Sequence, residues 1–277
     1  MRYGFVVPNN FGVEDPNDVA LLGSRAEALG FDSVWVNHHV LNVGYVRDRL
    51  GEGPYYDALV MLTWIAAHTS RVQLGTSVLV IPYLHPMVLA KELATLDHLS
   101  GGRLTVGVGV GSLPEENAAL GVPYDSRGSY SNEFLEVLRK LWTEERASFR
   151  GDHFEFEDLI SSPKPLQQPH PPIVVGGNRP PALRRAARLG DGWHPLNVSP
   201  DGVRRRLETL RSEAEAAQRD HVTATVQVRL GMERVTVASI AEYADAGVTE
   251  LVMSLNTGDV QETDRALERF ASETMQV

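Results

Sequence analysis

The chain of 277 residues has a formal net charge of -10 and contains no cysteine. Its length fits one domain of α/β-barrel size, residues 1–277, with a core that needs no disulfides. The absence of cysteine excludes thiol catalysis, disulfide bonds and cysteine-based zinc sites. Because no long Lys/Arg stripe accompanies the acidic balance, we expect a small-molecule partner and no nucleic acid.

The amino-terminal segment, MRYGFVVPNN, is apolar from its start and lacks the charged, apolar and small-residue order of a signal peptide. No stretch approaches the roughly 20 apolar residues that are needed to span a membrane. We therefore expect a soluble, cytoplasmic protein with no membrane partner.

Four β-rich runs alternate with helical stretches in the first half of the chain. The predicted strands cover residues 3–7, 33–36, 72–80 and 104–110, and the predicted helices cover 16–29, 58–68, 87–99 and 132–142. Asp15 and Pro16 provide a cap and a first-turn proline for the first helix, and Gly30 ends it. The third run is nearly continuous Val and Leu, which is typical of a strand buried on both faces. The spacing of Ser112 and Glu115 predicts a capping box after the fourth strand.

The second half of the chain continues the alternation after an irregular insertion at about residues 143–172, in which 150–152 is a predicted turn between two edge strands. Strands are predicted at 173–175, 191–194, 223–230 and 250–255, and helices at 181–189, 199–219, 236–246 and the carboxyl terminus. Eight strands alternating with helices predict a (β/α)8 TIM barrel, with an open doubly wound sheet as the alternative. A Rossmann sheet requires G-x-G-x-x-G after its first strand, where this chain has PNNFG.

The carboxyl ends of the strands are where a TIM barrel carries its active site. The most polar of these ends is Asn37-His38-His39. Because neighbouring residues on a strand point to opposite faces, only one histidine is expected to face the barrel mouth. It serves there as an acid, base or hydrogen-bond donor, or else both histidines are loop residues satisfied by the backbone. No Asp or Glu lies near the pair in the sequence, so no metal site is expected.

A second candidate site is Gly176-Gly177-Asn178, where a predicted strand opens into a helix. The N–H groups of Gly177 and Asn178 could hold a phosphate, although an ordinary turn explains the same residues. The acidic pair Glu115 and Glu116 is interpreted as a helix face, which gives no support for a glycosidase.

The chain resembles the bacterial luciferase-like monooxygenase family in segments that follow the family's order. These are YGFVVP, DSVWVNHH, RVQLGTSVLVIP, GRLTVGVGVG and SPKPLQQPHPPIVVGGN, the last followed by RRAARLGDGW. The resemblance extends from the first strand through Trp193 and is only generic in the last third. It implies a TIM barrel, often dimeric, that binds FMN or the deazaflavin coenzyme F420.

The resemblance also implies a cofactor site. The residues that it assigns to cofactor binding are Thr76, Ser77, Val78, Gly109, Val110, Gly111, Gly176, Gly177 and Asn178. The first three match the bulge that backs the flavin ring, and relatives often have a non-proline cis peptide that maps to Ser77–Val78. The next three line the cofactor groove, and the last three hold the cofactor phosphate.

By the same resemblance, His38 matches the histidine that deazaflavin-dependent relatives place near the reactive face. Asn37 stands where many of those relatives have Asp, and both residues are expected to be catalytic. Ser112 stands near where the sugar-phosphate dehydrogenases of the family carry Glu, which argues against a glucose-6-phosphate dehydrogenase.

The function that follows is hydride transfer between F420 and a small organic substrate, catalysed by a homodimer. The residues expected to line the substrate pocket are His39, Tyr55, Trp193 and His194, and Tyr45, Tyr55 and Tyr56 are expected to form a lid. The close alternative is an FMN-dependent monooxygenase that uses reduced flavin and O2 and needs a flavin reductase. Two further alternatives are a non-redox barrel enzyme for a phosphorylated substrate and a non-catalytic flavin-binding protein.

Overall fold

Strands and helices alternate along residues 1–219 and 225–275, the residues that the computed structural model describes. The strands are β1 (Arg2–Val6), β2 (Ser33–Val36), β3 (Gln73–Thr76), β4 (Leu79–Val80), β5 (Leu104–Gly109), β6 (Ala147–Arg150), β7 (Glu155–Leu159), β8 (Ile173–Gly176), β9 (Gly192–His194), β10 (Gln227–Gly231) and β11 (Glu250–Ser254). The helices are α1 (Pro16–Ala28), α2 (Gly44–Leu50), α3 (Ala58–Ala67), α4 (Pro86–Ser100), α5 (Pro114–Ala119), α6 (Arg127–Thr143), α7 (Pro180–Leu189), α8 (Pro200–Ala216), α9 (Val237–Asp245) and α10 (Val260–Glu273). None of these described helices is long and apolar enough to cross a membrane. The start of the strand predicted at 223–230 lies outside the described residues.

Eight of the strands form one nearly closed parallel barrel. Hydrogen bonds join them in the order β10-β11-β1-β2-β3-β5-β8-β9, and the short β4 also pairs with β5. Between β9 and β10 the ring is completed by the bridges Trp193–Val226 and Leu196–Arg229. The predicted TIM barrel is therefore confirmed, and the alternative of an open sheet is wrong because the strand order closes on itself.

The third predicted strand, residues 72–80, is interrupted after Thr76 by a cis peptide bond between Ser77 and Val78. The Thr76 hydroxyl bridges the interruption, because it donates to the carbonyl oxygen of Gly107 at 2.7 Å and accepts the Gly107 N–H at 2.9 Å. The chain then resumes as β4 beside the end of β5. The cis peptide implied by the family resemblance is present, whereas the prediction of one continuous strand is wrong.

The loops differ from the predictions in two places. The loop predicted at residues 37–57 contains a helix, α2. The helix after β5 has Leu113 as its N-cap residue and no side-chain cap, so the capping box predicted at Ser112 and Glu115 is wrong. The predicted turn at 150–152 does lie between two strands, because β6 and β7 form an antiparallel pair in the insertion.

Two apolar layers hold the barrel together. The outer layer lies between the strands and the helices, where large side chains such as Leu62 are fully buried and each contributes about 1.5–3 kcal/mol. The inner layer consists of Val6, Trp35, Val174 and Val252. A Cβ on Gly75 would lie 2.2 Å from the Trp35 ring, so glycine is required for the indole to fit inside the barrel. The inner layer supports the polar residues at the carboxyl end of the barrel.

The opposite, amino-terminal end of the barrel is held by the buried guanidinium of Arg103. Its Nε donates to the carbonyl oxygen of Ser100 at 2.6 Å. Its Nη1 donates to the Thr69 hydroxyl at 2.9 Å and the Val72 carbonyl at 3.0 Å, and its Nη2 donates to the carbonyls of Ala66 and Thr69 at 3.0 Å. This network is structural, because it lies at the end of the barrel away from the carboxyl ends of the strands.

Candidate active site

The residues predicted to hold a cofactor come together at neighbouring strand ends. They are Thr76, Ser77 and Val78 after β3, Gly109, Val110 and Gly111 at the end of β5, and Gly176, Gly177 and Asn178 at the end of β8. The pairs Leu79–Val108 and Val108–Val175 join the three segments side by side. One groove at the carboxyl end of the barrel therefore has all nine residues at its edges.

Val78 fills the space above the neighbouring strands. A Cβ on Gly109 would lie 2.6 Å from Cγ2 of Val78, and one on Gly176 would lie 3.0 Å from its Cγ1. At Gly107 the obstacle is the main chain, because a Cβ would lie 1.8 Å from the carbonyl oxygen of Thr76. Glycine is therefore required on β5 and β8 wherever the interrupted strand crosses them.

The loop at Gly177 and Asn178 is fixed from its carbonyl side. The indole N–H of Trp193 donates to the Gly177 carbonyl at 2.8 Å, and Nε of Arg206 donates to the Asn178 carbonyl at 3.0 Å. The Asn178 amide donates to the Leu196 carbonyl at 2.8 Å and accepts the Leu196 N–H at 3.3 Å. Gly177 has a φ of 107°, a conformation that favours glycine.

The first turn of α7 has few N–H groups to offer a phosphate. Pro180 and Pro181 have no N–H, and the N–H groups of Ala182 and Leu183 both donate to the Arg179 carbonyl. The N–H groups of Gly177 and Asn178 donate to no acceptor among the described residues. A phosphate at this loop would therefore be held by the loop N–H groups rather than by the helix terminus.

A guanidinium lies beneath the same groove. Nη1 of Arg229 donates to Oδ1 of Asn37 at 2.6 Å, to the Ser77 carbonyl at 2.8 Å and to the Ser77 hydroxyl at 3.2 Å. Removal from water lowers the pKa of Arg229 to about 10, so the group stays charged at neutral pH. Its Nε is buried without a hydrogen-bond partner among the described residues.

Asn37 is buried, and both the oxygen and the nitrogen of its side-chain amide are hydrogen-bonded. Oδ1 accepts from Arg229, and Nδ2 donates to Oδ1 of Asn10 at 3.0 Å. Its N–H donates to Oδ1 of Asn9 at 2.9 Å, and the Asn9 amide returns a hydrogen bond to the Asn37 carbonyl at 2.9 Å. Asn37 therefore holds Arg229 in place and joins the end of β2 to the segment that follows β1.

His38 is buried at the mouth of the barrel, and its ring is oriented by the backbone. The Val80 N–H donates to Nδ1 of His38 at 3.0 Å, so the neutral imidazole carries its proton on Nε2. Burial lowers the pKa of His38 to about 4, which keeps the ring neutral at physiological pH. No described group is hydrogen-bonded to Nε2, and the Tyr83 ring lies 6.4 Å away between centroids. His38 therefore presents an N–H donor.

His39 has different partners. Its Nδ1 lies 2.6 Å from Oε2 of Glu116, and its Nε2 lies 2.7 Å from the Tyr45 hydroxyl. The prediction that no carboxylate accompanies the histidine pair is wrong, because α5 brings Glu116 to it across 77 positions of sequence. Even so, no group of three or more His, Asp or Glu side chains that could hold a metal ion occurs in the described part of the chain.

Trp193 and His194, both predicted to line a substrate pocket, lie below the groove. Trp193 is fully buried and supports the loop at Gly177. His194 stacks on Trp35 with ring centroids 4.8 Å apart, and its Nε2 lies 2.9 Å from the Ser77 hydroxyl. Burial, aided by the positive charge of Arg229, lowers the pKa of His194 to about 3. Both rings are buried beside the end of β8, and their expected contact with a substrate remains a prediction.

Three tyrosines line the rim of the mouth, and we call them the tyrosine rim: Tyr45, Tyr55 and Tyr83. Burial raises the pKa of each hydroxyl above its ordinary value. The Tyr55 hydroxyl is buried and has no hydrogen-bond partner among the described residues. Tyr56 lies apart from the rim, because its hydroxyl donates to the carbonyls of Val13 and Glu14 at 2.8 and 2.6 Å.

Two residues of this site were missed in the sequence. Glu116 was interpreted as part of an exposed helix face, but its side chain is fully buried. Arg229, near the end of β10, was not among the candidate residues. The alternation of polar Gln227 and Arg229 with apolar Val228 and Leu230 was the available signal, since alternate residues of a barrel strand face inward.

Known proteins similar to the chain define its family. The family model for luciferase-like monooxygenases matches residues 1–273. An uncharacterised protein of Mycobacterium tuberculosis is 32% identical over 98% of both chains. An F420-dependent glucose-6-phosphate dehydrogenase of Kineococcus radiotolerans is 36% identical over 79% of this chain and 65% of its own. An FMNH2-dependent dimethylsulfone monooxygenase of Pseudomonas putida is 31% identical over 83% of this chain and 61% of its own.

Solved structures share the fold at lower identity. A monooxygenase from Streptomyces bottropensis gives a TM-score of 0.81 over 100% of this chain and 99% of its own, at 22% identity. An F420-dependent secondary alcohol dehydrogenase, solved with an F420-acetone adduct, gives 0.82 over 98% and 97%, at 18% identity. The family match over nearly the whole chain thus agrees with the barrel and its groove. The protein is an enzyme of the luciferase-like monooxygenase family, in which F420-dependent and FMN-dependent oxidoreductases both occur.

Proposed function

We propose that this enzyme transfers a hydride between F420 and a small organic substrate at the carboxyl end of its barrel. The observation that carries the proposal is the position of His38, a neutral N–H donor at the barrel mouth, next to the groove formed by the nine cofactor residues. The F420-dependent relative from Kineococcus radiotolerans supports the choice of cofactor.

The groove fits a deazaflavin in three respects. The N–H groups of Gly177 and Asn178 would hold its phosphate. The carbonyl oxygens of the same two residues accept hydrogen bonds from Trp193 and Arg206, which fixes the loop. Ser77 and Val78 would back the ring, and Gly111, with a φ of 79°, would line the groove beside it. When bound, the deazaflavin supplies or accepts the hydride.

His38 would orient the substrate and stabilise charge on it. Its Nε2–H can donate a hydrogen bond to a substrate oxygen that gains negative charge as the hydride moves. Because Nδ1 is occupied by the Val80 N–H, His38 acts as a neutral donor and does not exchange a proton through Nε2. Such a preorganised donor contributes about 2.7–4 kcal/mol to transition-state stabilisation in comparable sites.

Arg229 would add a fixed positive charge below the groove. Its partner Asn37 is an amide rather than a carboxylate, so the charge is not cancelled where the two side chains meet. Ser77 links Arg229 to the interrupted strand, because its carbonyl and hydroxyl both accept from the guanidinium. Asn37 and Ser77 are thus positioning residues for this charge.

The remaining parts of the proposal concern the substrate and the assembly. His39, Tyr55 and the rest of the tyrosine rim would contact a small substrate, since they surround the mouth beside His38. We also propose a cytoplasmic homodimer. Sedimentation of the purified protein would test the dimer, and a monomer at micromolar concentration would contradict it.

Binding of F420 and FMN, measured side by side by fluorescence titration, tests the proposal. We expect tighter binding of F420, and at least tenfold weaker binding by Gly177→Val, because an L-residue is strained at that φ and its Cβ would lie 2.9 Å from Ala182. Gly128→Ala is the control, since its added Cβ meets only Arg185 at 3.5 Å. Tighter binding of FMN, or binding of neither cofactor, would contradict the proposal.

The second candidate is an FMN-dependent monooxygenase. The relative from Pseudomonas putida favours it, because that enzyme is named for reduced FMN and aligns over 83% of this chain. It predicts tighter binding of FMN than of F420 and a requirement for a flavin reductase and O2.

A further inference from the structure

Glu116, His39 and Tyr45 form a continuous hydrogen-bonded chain at the rim of the barrel mouth. Oε2 of Glu116 lies 2.6 Å from Nδ1 of His39, and Nε2 of His39 lies 2.7 Å from the Tyr45 hydroxyl. The chain joins three elements, because His39 follows β2, Tyr45 lies on α2 and Glu116 lies on α5. It runs from a fully buried carboxylate to a tyrosine that is 49% exposed.

The carboxylate fixes the direction of the hydrogen bonds. Oε1 of Glu116 accepts the N–H groups of Val40 and Leu41 at 2.6 and 3.1 Å. Burial acts to raise the pKa of Glu116, but the hydrogen bonds from His39, Val40 and Leu41 together lower it below its ordinary value. Glu116 is therefore ionised, and it accepts the Nδ1–H of His39.

Nε2 of His39 is directed at the Tyr45 hydroxyl. In the tautomer of His39 with its only proton on Nδ1, Nε2 is an acceptor to which the Tyr45 hydroxyl donates. A carboxylate that orients an imidazole, which in turn accepts from a hydroxyl, is the arrangement that activates hydroxyl groups in hydrolases.

Tyr45 lies among groups that belong to the substrate side of the mouth. The His39 ring makes edge contacts with both Tyr45 and Tyr55, with centroids 5.6 and 6.0 Å apart. Burial raises the pKa of the Tyr45 hydroxyl, whereas a hydrogen bond with the Ser112 side chain and the positive charges of Arg49 and Arg229 act to lower it. The Tyr55 hydroxyl beside it is buried and has no hydrogen-bond partner among the described residues. A polar ligand at the mouth would supply that partner.

Hydride transfer to or from a carbon that bears oxygen also requires a proton to move, and His38 is poorly placed to move it. The Val80 N–H occupies Nδ1 of His38, so Nε2 already holds the one proton of the neutral ring. Losing that proton would leave an imidazolate, and gaining another would break the Val80 hydrogen bond. A second group at the mouth must therefore exchange the proton.

We propose that Tyr45 is the general acid–base catalyst of this reaction, with His39 and Glu116 as its positioning residues. The inference rests on the proposed hydride transfer and deepens it by assigning the group that exchanges the proton when the substrate carbon bears oxygen. Nothing in the chain Glu116–His39–Tyr45 is needed to hold the cofactor groove, whose residues lie on β3, β5 and β8.

In the oxidation of an alcohol, the C–H bond breaks and its electron pair leaves with the hydrogen as a hydride, which F420 would accept. The O–H bond breaks, its electron pair becomes the second bond of the carbonyl, and its proton passes to the Tyr45 oxygen. Tyr45 releases its own proton to Nε2 of His39, and the resulting imidazolium is stabilised by Glu116. Reduction of the ketone runs the same transfers in reverse.

The first test compares Tyr45→Phe with Tyr3→Phe. Tyr3 is a matched control because it lies at the opposite end of β1, where its ring packs on Phe270. We expect Tyr45→Phe to lower kcat by about 10²–10⁴-fold, the usual contribution of general acid–base catalysis. The Kd for F420 should stay within twofold in both variants, and Tyr3→Phe should keep the kcat of the unchanged enzyme. A kcat for Tyr45→Phe within threefold of the unchanged enzyme, with F420 bound normally, would overturn the inference alone.

The second test needs no turnover. Nitrogen NMR of the protein labelled in its histidines should show His39 with its proton on Nδ1 and a bare Nε2, and His38 with the opposite tautomer. Glu116→Gln should remove the preference at His39 and leave His38 unchanged. A His39 that carries its proton on Nε2 would overturn the inference, since Tyr45 could not then donate to it.

Chemical rescue by imidazole distinguishes a role of His39 in proton transfer from a purely structural role in the loop. His39→Ala should lose activity and regain a substantial part of it with added imidazole, because the imidazole can occupy the space between Tyr45 and Glu116. The same imidazole should do nothing for Tyr45→Phe. Lack of any rescue with F420 still bound would count against the proton role. Failure of the unchanged protein to bind F420 would instead overturn the proposed function, and this inference with it.

Discussion

Arg229 and Asn37 meet beneath the groove through a hydrogen bond of 2.6 Å between Nη1 and Oδ1. They lie 192 positions apart in the sequence, Arg229 on β10 and Asn37 directly after β2, at the same end of the barrel. Because the acceptor is an amide, the contact fixes the guanidinium without neutralising it. The Arg229 guanidinium therefore places a positive charge, held by hydrogen bonds, beneath the groove.

Replacement of Arg229 by Met should lower the free energy of unfolding by about 1–3 kcal/mol, because buried acceptors on Asn37 and Ser77 lose their donor. Chemical denaturation would measure this change. Arg150→Met is the control, since Arg150 is 85% exposed and its pair with Glu155 should contribute at most about 1 kcal/mol. Equal effects of the two substitutions would contradict the assigned role of Arg229.

Stability should fall on mild acidification because two histidines are held neutral. Burial lowers the pKa of His38 to about 4 and that of His194 to about 3. In the unfolded chain both bind protons near pH 6.5, so the unfolded state gains protons first as the pH falls. Between pH 6.5 and about 4.5, each histidine should remove about 1.4 kcal/mol of stability per pH unit.

The matched variant for this effect is His38→Gln. It should reduce the slope of unfolding free energy against pH by about half, because one of the two buried histidines is gone. Denaturant midpoints at four pH values between 5 and 6.5 would measure the slope. A slope that does not change would mean that His38 is not kept neutral by burial.

Gly109→Ala should destabilise the protein, and Val78→Ala should relieve the effect. The added Cβ at residue 109 would lie 2.6 Å from Cγ2 of Val78, a contact that removal of the valine branches abolishes. Overpacking of this kind costs about 1–3 kcal/mol. Thermal unfolding of both single variants and the double variant would measure the coupling. Simple additivity would show that Val78 is not the obstacle.

Arg103→Lys should lower stability by about 1–3 kcal/mol without changing the Kd for F420. A lysine cannot reproduce the five hydrogen bonds of the guanidinium, and buried carbonyls of Ala66 and Val72 would lose their donor. Denaturation and F420 titration of the same preparation would separate the two effects. Weaker cofactor binding would show that the two ends of the barrel are coupled.

The barrel could be predicted from the sequence because each of its parts has a local signature. Short runs of Val, Leu and Ile alternate with amphipathic helices, and the first helix begins at the proline that follows Asp15. The interruption of the third strand carries no such signature, since TSVLV is a plausible buried strand. Only the family resemblance implied the cis peptide between Ser77 and Val78.

The polar network of the site could not be derived from local patterns. The pairing of Glu116 with His39 depends on where α5 lies relative to the end of β2, and the short α5 lacks the capping signal predicted for it. Strand alternation placed the histidines on opposite faces, and the structure gives His38 and His39 different partners, Val80 on one side and Glu116 with Tyr45 on the other. Which partner each ring finds is a property of the packed barrel.

Hydride transfer without oxygen is tested most directly by recording cofactor absorbance and dissolved oxygen together in one sealed cuvette. The enzyme is supplied with F420 and a panel of secondary alcohols, and in a parallel run with reduced FMN and the same panel. We predict that F420 loses its absorbance with at least one alcohol while the oxygen concentration stays constant. Oxygen uptake that requires reduced FMN and forms a hydroxylated product, with F420 unchanged, would contradict hydride transfer and establish a monooxygenase.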